Sequence, residues 1–267
     1  MSWRLVRQTL RWNALRVVIV AVAAIGWSLL LPVIYTTFSP MLKELVNSGI
    51  VPRQLMSFGS GDFFSLTGAI AFGMQHPITI ALVAIFALWS PVAAIAGERE
   101  RGTLEVLLAR PLSRRRLLAS IALAVAVIVA VMVAALLVGT IIGIAIEGVG
   151  SEVNLARMPL VWLNGFLLWT SFGAFALAAS ATFDRAGPAI GLSLAYLLVA
   201  YFLEILGSLW DAAAWTQTYS LFNYFQAQDW LTGSGRWFDV GLLVITTLVP
   251  LAWAWIVFPR RDLAAPA

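Results

Sequence analysis

Gly97 to Leu118 reads GERERGTLEVLLARPLSRRRLL, the longest strongly charged segment of a chain that is 61% hydrophobic and 11% charged. Apolar runs flank it, Leu66 to Gly97 before and Leu117 to Ile146 after, each longer than the ~20 residues a helix needs to cross a bilayer. Charge at this density between two spans has to sit in water, and its arginine excess places it on the cytoplasmic side. The stretch is thus a loop joining two membrane helices, and the fold class it sets is an all-α polytopic membrane protein.

The totals agree. Among 267 residues there are 12 tryptophans and no cysteine, and the mean hydropathy is +0.91. A soluble domain needs a charged cover that 11% charged residues do not supply. A β-barrel would read as alternating segments of roughly ten residues, whereas these runs are apolar on every face. The net charge of +4 and pI near 10.0 would suggest nucleic acid in a soluble protein, but in a membrane protein basic residues collect in the cytoplasmic loops, and no nucleic acid is expected. Without cysteine there are no disulfides and no thiolate-ligated metal, and one histidine does not make a metal site. No cofactor is expected in this chain.

Working outward gives six spans, at about 17–35, 77–97, 117–146, 160–183, 188–209 and 238–258, in a single transmembrane domain over 1–267. Ser2 to Leu15 is expected to be a separate interfacial helix, with Trp3, Val6, Leu10 and Ala14 on one face and Arg4, Arg7 and Arg11 beside them. Ser39-Pro40, Asn47-Ser48-Gly49 and Gly59-Ser60-Gly61-Asp62 read as turns of an outer loop from Thr36 to Ser65, with a short helix over Met41 to Val46. His76-Pro77 marks the start of the second crossing helix, and Pro91 a bend or break near its cytoplasmic end. Gly139 and Gly143 form a GxxxG pair that admits a close helix neighbour. Asp184 to Gly187 is a tight inner turn. Trp210 to Gly235 is an aromatic outer loop of the kind found at membrane interfaces.

Charge orients the chain. Arg4, Arg7, Arg11, Arg16, Arg99, Arg101, Arg110, Arg114, Arg115, Arg116, Arg185, Arg260 and Arg261 fall on one side, against Lys43, Arg53, Arg157 and Arg236 on the other. The positive-inside rule makes both termini cytoplasmic.

Within the opening stretch, Gly102 stops a helix descending from the second span. Thr103 to Ala109 then forms a short helix with Leu104, Leu107 and Leu108 on one face and Glu105 beside them. Pro111 ends it, and Ser113 caps the next span. A short helix across the bottom of two spans suits a lever between a soluble body and the membrane helices. It equally suits an ordinary connection whose charges only anchor topology.

The same residues resemble the signature of the type 2 ABC transporter permeases, an acidic-basic-acidic cluster followed by Gly-Thr-Leu-Glu, Leu-Leu, Pro and Ser-Arg. Here these are Glu98, Arg99, Glu100, Gly102, Thr103, Leu104, Glu105, Leu107, Leu108, Pro111, Ser113 and Arg114. Leu221-Phe222-Asn223-Tyr224-Phe225 is similar to a Pro-Phe-x-Tyr-Phe stretch of that family but departs at its first residue. The resemblance implies an exporter of two permease and two nucleotide-binding subunits, with the short helix docking on the ATPase. The chain has no GxxxxGK[ST] phosphate loop, so ATP and Mg would be bound by that partner ATPase. A second permease copy, as a homodimer, and membrane lipid are the other expected partners, in a prokaryotic cytoplasmic membrane.

Other candidates have plainer readings. Glu204, an acidic residue inside the fifth span, is a group at the pathway or subunit interface, or a side chain reaching the outer interface. His76 reads as a helix start, and Asn164 as interhelical glue. The apolar interior favours a hydrophobic or amphipathic cargo such as a drug, antibiotic or lipid. The competing functions are a lipid-modifying membrane enzyme and a non-transporting anchor or sensor.

Overall fold

The computed structural model describes residues 1–50, 57–58, 61–62, 64–104 and 112–261. Among these, six helical stretches are long and apolar enough to cross a membrane: Trp3–Asn47, Pro77–Glu100, Arg114–Glu147, Leu155–Thr182, Ala186–Leu209 and Trp237–Arg260. The protein is a multi-pass helical membrane protein. Its only described strands are β1 (Ser57–Phe58) and β2 (Gly61–Asp62), which pair antiparallel.

Helix α1 runs without interruption over Trp3–Asn47. At 1.5 Å per residue it is about 68 Å long, more than the ~45 Å of a bilayer with its headgroups. This corrects two expectations. Ser2 to Leu15 is not set off from the first span by any break, and the chain does not enter a loop at Thr36, since Met41 to Val46 belong to the same helix. Pro32 and Pro40 lie inside it, where each removes a backbone donor. Contact along its length with α6 (Arg114–Glu147) offsets that cost. The two helices run side by side in the same direction. A Cβ at Gly139 would stand 2.2 Å from the Ile25 carbonyl oxygen, and one at Gly143 would stand 2.4 Å from that of Leu29. Only glycine lets the backbones approach this closely. The ends are pinned as well, by Ser2 N–H donating to Ser120 Oγ at 2.8 Å and Thr36 Oγ1 donating to Glu147 at 2.7 Å.

The second span is assembled from pieces. Helix α2 (Leu66–Gln75) precedes it, and at His76 the chain turns into α3 (Pro77–Ala87). His76 Nδ1 accepts from the Ile78 amide at 3.2 Å, the helix-start role read from the sequence, and burial lowers its pKa below the ordinary value. The helix breaks at Leu88, three residues ahead of Pro91, whose nitrogen has no hydrogen to donate to the Ala87 carbonyl four residues back. Helix α4 (Trp89–Val92) leads into a π turn (Ala93–Gly97) and the short α5 (Glu98–Glu100). Ser180 of a neighbouring helix repairs the irregular backbone: its hydroxyl accepts from the Ala96 amide at 2.9 Å and lies 3.2 Å from the Pro91 carbonyl.

Helices α7 (Met158–Thr182), α8 (Ala186–Leu209) and α10 (Trp237–Val257) complete the bundle, with α9 (Ala227–Thr232) between the last two. Central α7 buries Asn164, Leu168, Trp169, Phe172 and Ser180 and packs on α6, α8 and α10. By contrast α1, α8 and α10 leave broad apolar faces outward. Such faces are ordinary in a protein whose solvent is lipid. One end of the bundle, the basic end, gathers Arg99, Arg101, Arg114, Arg115, Arg116, Arg185, Arg260 and Arg261. The other, the aromatic end, carries α2 and the 210–236 segment with Trp210, Trp215 and Trp230, beside Trp237.

Candidate coupling site

The opening stretch lies at the basic end, and the structure divides its charged cluster in two. Gly102, at φ 71, takes the left-handed conformation that ends the descending helix, and its amide bonds to the Arg99 carbonyl at 2.9 Å. Glu98 turns toward this stop. It accepts from Arg101 at 2.5 Å and from the Thr103 hydroxyl at 2.5 Å, and its backbone carbonyl accepts from the same hydroxyl at 3.0 Å. Leu104 is fully buried, so the chain re-enters the protein directly after the glycine.

Arg99 and Glu100 turn the other way. Arg99 is buried and its guanidinium lies 2.9 Å from Asp184, while Glu100 accepts from the Ala186 amide at 2.9 Å. Asp184 also pairs with Arg261 at 2.6 Å. One carboxylate therefore joins the end of the second span, the turn between α7 and α8, and the segment after α10. On the far side of the stretch, Ser113 caps α6 by accepting from the Arg116 amide at 3.3 Å. Arg114 donates to the carbonyls of Pro259 at 3.0 Å and Arg261 at 2.7 Å. Both ends of the Gly97–Leu118 stretch are thus anchored to the 259–261 segment, directly or through Asp184.

Of the residues that carry the signature, Glu98, Arg99, Glu100, Gly102, Thr103, Leu104, Ser113 and Arg114 are placed in this way. Glu105, Leu107, Leu108 and Pro111, with the rest of the short helix over Thr103 to Ala109, lie outside the described residues.

The aromatic end holds the other candidates. Glu204 is buried inside the chain, where its Oε1 accepts from Gln217 Nε2 at 3.0 Å. The 211–219 segment folds back over α8 here because Gly207 has no side chain; a Cβ would meet Gln217 Cγ at 2.4 Å. The Thr216 hydroxyl lies 2.9 Å from the Leu203 carbonyl and completes the closure. Asn164 is fully buried and bridges two backbone groups, donating to Tyr224 O at 3.1 Å and accepting from Gln226 N at 3.0 Å. Gln75 does similar work from α2, donating to Phe225 O at 2.9 Å. Sequence reasoning passed over Gln75. Its signal was present, a lone amide at the end of a fully apolar run, where a polar group must find a partner.

The fold is that of a six-helix membrane permease with an anchored loop after its second span. The chain belongs to the family described as ABC-2 family transporter protein, which it matches over residues 8–263. It is accordingly a membrane subunit of an ABC transporter, and membership implies association with an ABC ATPase subunit. No curated protein matches the chain.

Proposed function

We propose that the chain is the permease subunit of an exporter that couples to a separate ATPase through the segment from Glu98 to Arg114. The observation that carries this reading is the anchoring of that segment at both ends, by Arg99 to Asp184 and by Arg114 to the 259–261 carbonyls. A connection meant only to orient the chain needs no such cross-links. A lever does, because force applied to the loop must reach α5, α6, α7 and α10 together.

In this reading the basic end and both termini face the cytoplasm, as the arginine bias requires, and the membrane is the cytoplasmic membrane of a prokaryote. The ATPase supplies the ATP and Mg chemistry, and a second copy of this chain completes the pathway as a homodimer. The cargo is hydrophobic or amphipathic. A cleft of about 260 Å³ between α1 and the second span supports that class, since Asn13 and Arg16 stand in it with Ile19, Phe86 and Trp89.

Co-purification with the cognate ABC ATPase and ATP-dependent transport in vesicles test the proposal. Glu105→Arg, or deletion of Thr103 to Ala109, is expected to abolish both while leaving the permease folded in the membrane. Intact assembly and transport in those variants would remove the coupling assignment.

A further inference from the structure

Helices α6 and α10 both pack on α7 but scarcely touch one another, which leaves a groove between them with α7 as its floor. Its cavity is about 170 Å³, lined by Ala122 and Ala126 of α6, Thr170 and Gly173 of α7, and Thr247 and Leu251 of α10. We infer that this groove seats one anionic phospholipid, with an acyl chain against these small side chains and the phosphate at Arg115.

The lining favours hydrocarbon over a polar ligand. Its two hydroxyls are already engaged: Thr170 donates to Phe166 O at 2.8 Å, and Thr247 lies 2.8 Å from both Leu243 O and Ser171 Oγ. The walls offer nothing to water or a polar ligand, and dry apolar cavities take apolar guests. A helix with its side chains is about 10 Å across, so a helix of a second copy reaches this space only with single side chains, whereas an acyl chain fills it along its length. What remains at this depth is hydrocarbon.

Sequence register supplies the headgroup. Arg115, Ala122 and Ala126 are spaced by seven and four residues and share one face of α6, while Thr247, Leu251 and Trp255 step by four along α10. The groove therefore runs on toward the basic end, where the Arg115 guanidinium carbon lies 6.0 Å from the centre of the Trp255 ring. Both side chains are exposed there. Arg115 is about 10 Å along the helix from Ala122, the offset between a lipid phosphate and the upper part of its chain. Arg114, clamped to Pro259 O and Arg261 O, holds α6 and the end of α10 together beneath the headgroup. An arginine over an interfacial tryptophan at the mouth of an apolar groove suits a lipid phosphate. On the orientation proposed above, this lipid belongs to the cytoplasmic leaflet.

Native mass spectrometry of the full chain in detergent, with phosphatidylglycerol, phosphatidylcholine or inorganic phosphate added, tests the site. The wild type is expected to retain one phosphatidylglycerol in preference to phosphatidylcholine, with inorganic phosphate not displacing it. Arg115→Gln should lower that retention about fivefold, and Ala122→Phe with Ala126→Phe should abolish it, whereas Leu198→Phe on the exposed face of α8 changes nothing. A second measurement does not depend on the filled variant folding: brominated acyl chains should quench fluorescence more in the wild type than in Trp255→Phe. Retention unchanged by filling the groove, loss of lipid to inorganic phosphate, or equal quenching with and without Trp255 would each overturn the inference. So would conversion of a dimer to monomer by the filled variant with its lipid still bound, which would assign the groove to contact between permeases.

Discussion

The two ends of this bundle are held together by different chemistry. At the basic end, segments far apart in sequence meet through charge: Asp184 pairs with Arg99 and Arg261, and Arg114 reaches the carbonyls after α10. The Asp184 side chain is 45% exposed, so water and salt weaken its ion pairs, the one with Arg261 more than the one with buried Arg99. At the aromatic end neutral amides do the joining, buried Asn164 and Gln75 to the backbone of 222–226 and half-buried Gln217 to buried Glu204. The ion pair found there, Arg236 with Asp239, is local to the start of α10. A buried hydrogen bond leaves an unsatisfied group when broken, whereas an exposed ion pair exchanges its partner for water. The contrast therefore separates an end whose joints respond to salt from an end whose joints do not.

The comparison breaks most readily at Asn164. Asn164→Ala would strand Tyr224 O and Gln226 N, and the expected cost is on the order of 2 kcal/mol or more, read as a lower unfolding temperature in detergent and insensitive to salt. A smaller and more selective effect is expected at Glu204. Glu204→Gln keeps an acceptor for Gln217 and should leave the unfolding temperature nearly unchanged. Glu204→Leu strands that amide and should cost about 1–2 kcal/mol. If the Gln variant proved as damaging as the Leu variant, charge rather than shape would govern this end.

Asp184→Asn sharpens the other side. It releases the exposed partner Arg261 and the buried Arg99 at a cost of about 1–2 kcal/mol, and the difference from wild type should shrink in part as salt rises from 0.05 to about 0.5 M. A salt-independent loss would place the basic end in the same class as the aromatic end. The smallest effect concerns His76, whose neutral ring caps α3. Because burial lowers its folded pKa, the unfolded chain takes up the proton first. The cap's contribution is full above the ordinary value of 6.5 and is lost as pH falls through the lower folded pKa. A slight drop in unfolding temperature below pH 6.5, absent in His76→Asn, is the expected result.

Much of this was legible in residues whose effect is local. Pro91, by its missing donor, announced the break that the structure shows at Leu88, and Gly102 announced a stop that its φ of 71 makes explicit. Ser113 was readable as a cap, and Gly139 with Gly143 as a close-approach face. The partner of that face was not readable, because any of the other spans satisfies the same pattern. Nor was the internal commitment of Arg99 and Glu100, since Asp184 and Ala186 lie more than eighty residues away and nothing in the local sequence selects them.

Helix α1 shows the boundary best. Read alone, Ser39-Pro40 is a turn and Pro32 a weak point, and the basic first turns look like a separate segment. In the structure one helix passes through all of them, because contact with α6, down to Pro32 lying against Gly143, outweighs local preference. Composition and apolar length determined by themselves that this chain spans a membrane six times, since lipid leaves a backbone no other way to satisfy its hydrogen bonds. Which spans touch, which arginine finds Asp184 and where α1 ends were decided only by the tertiary structure. Such choices depend on contacts between residues distant in sequence, and no local pattern encodes them.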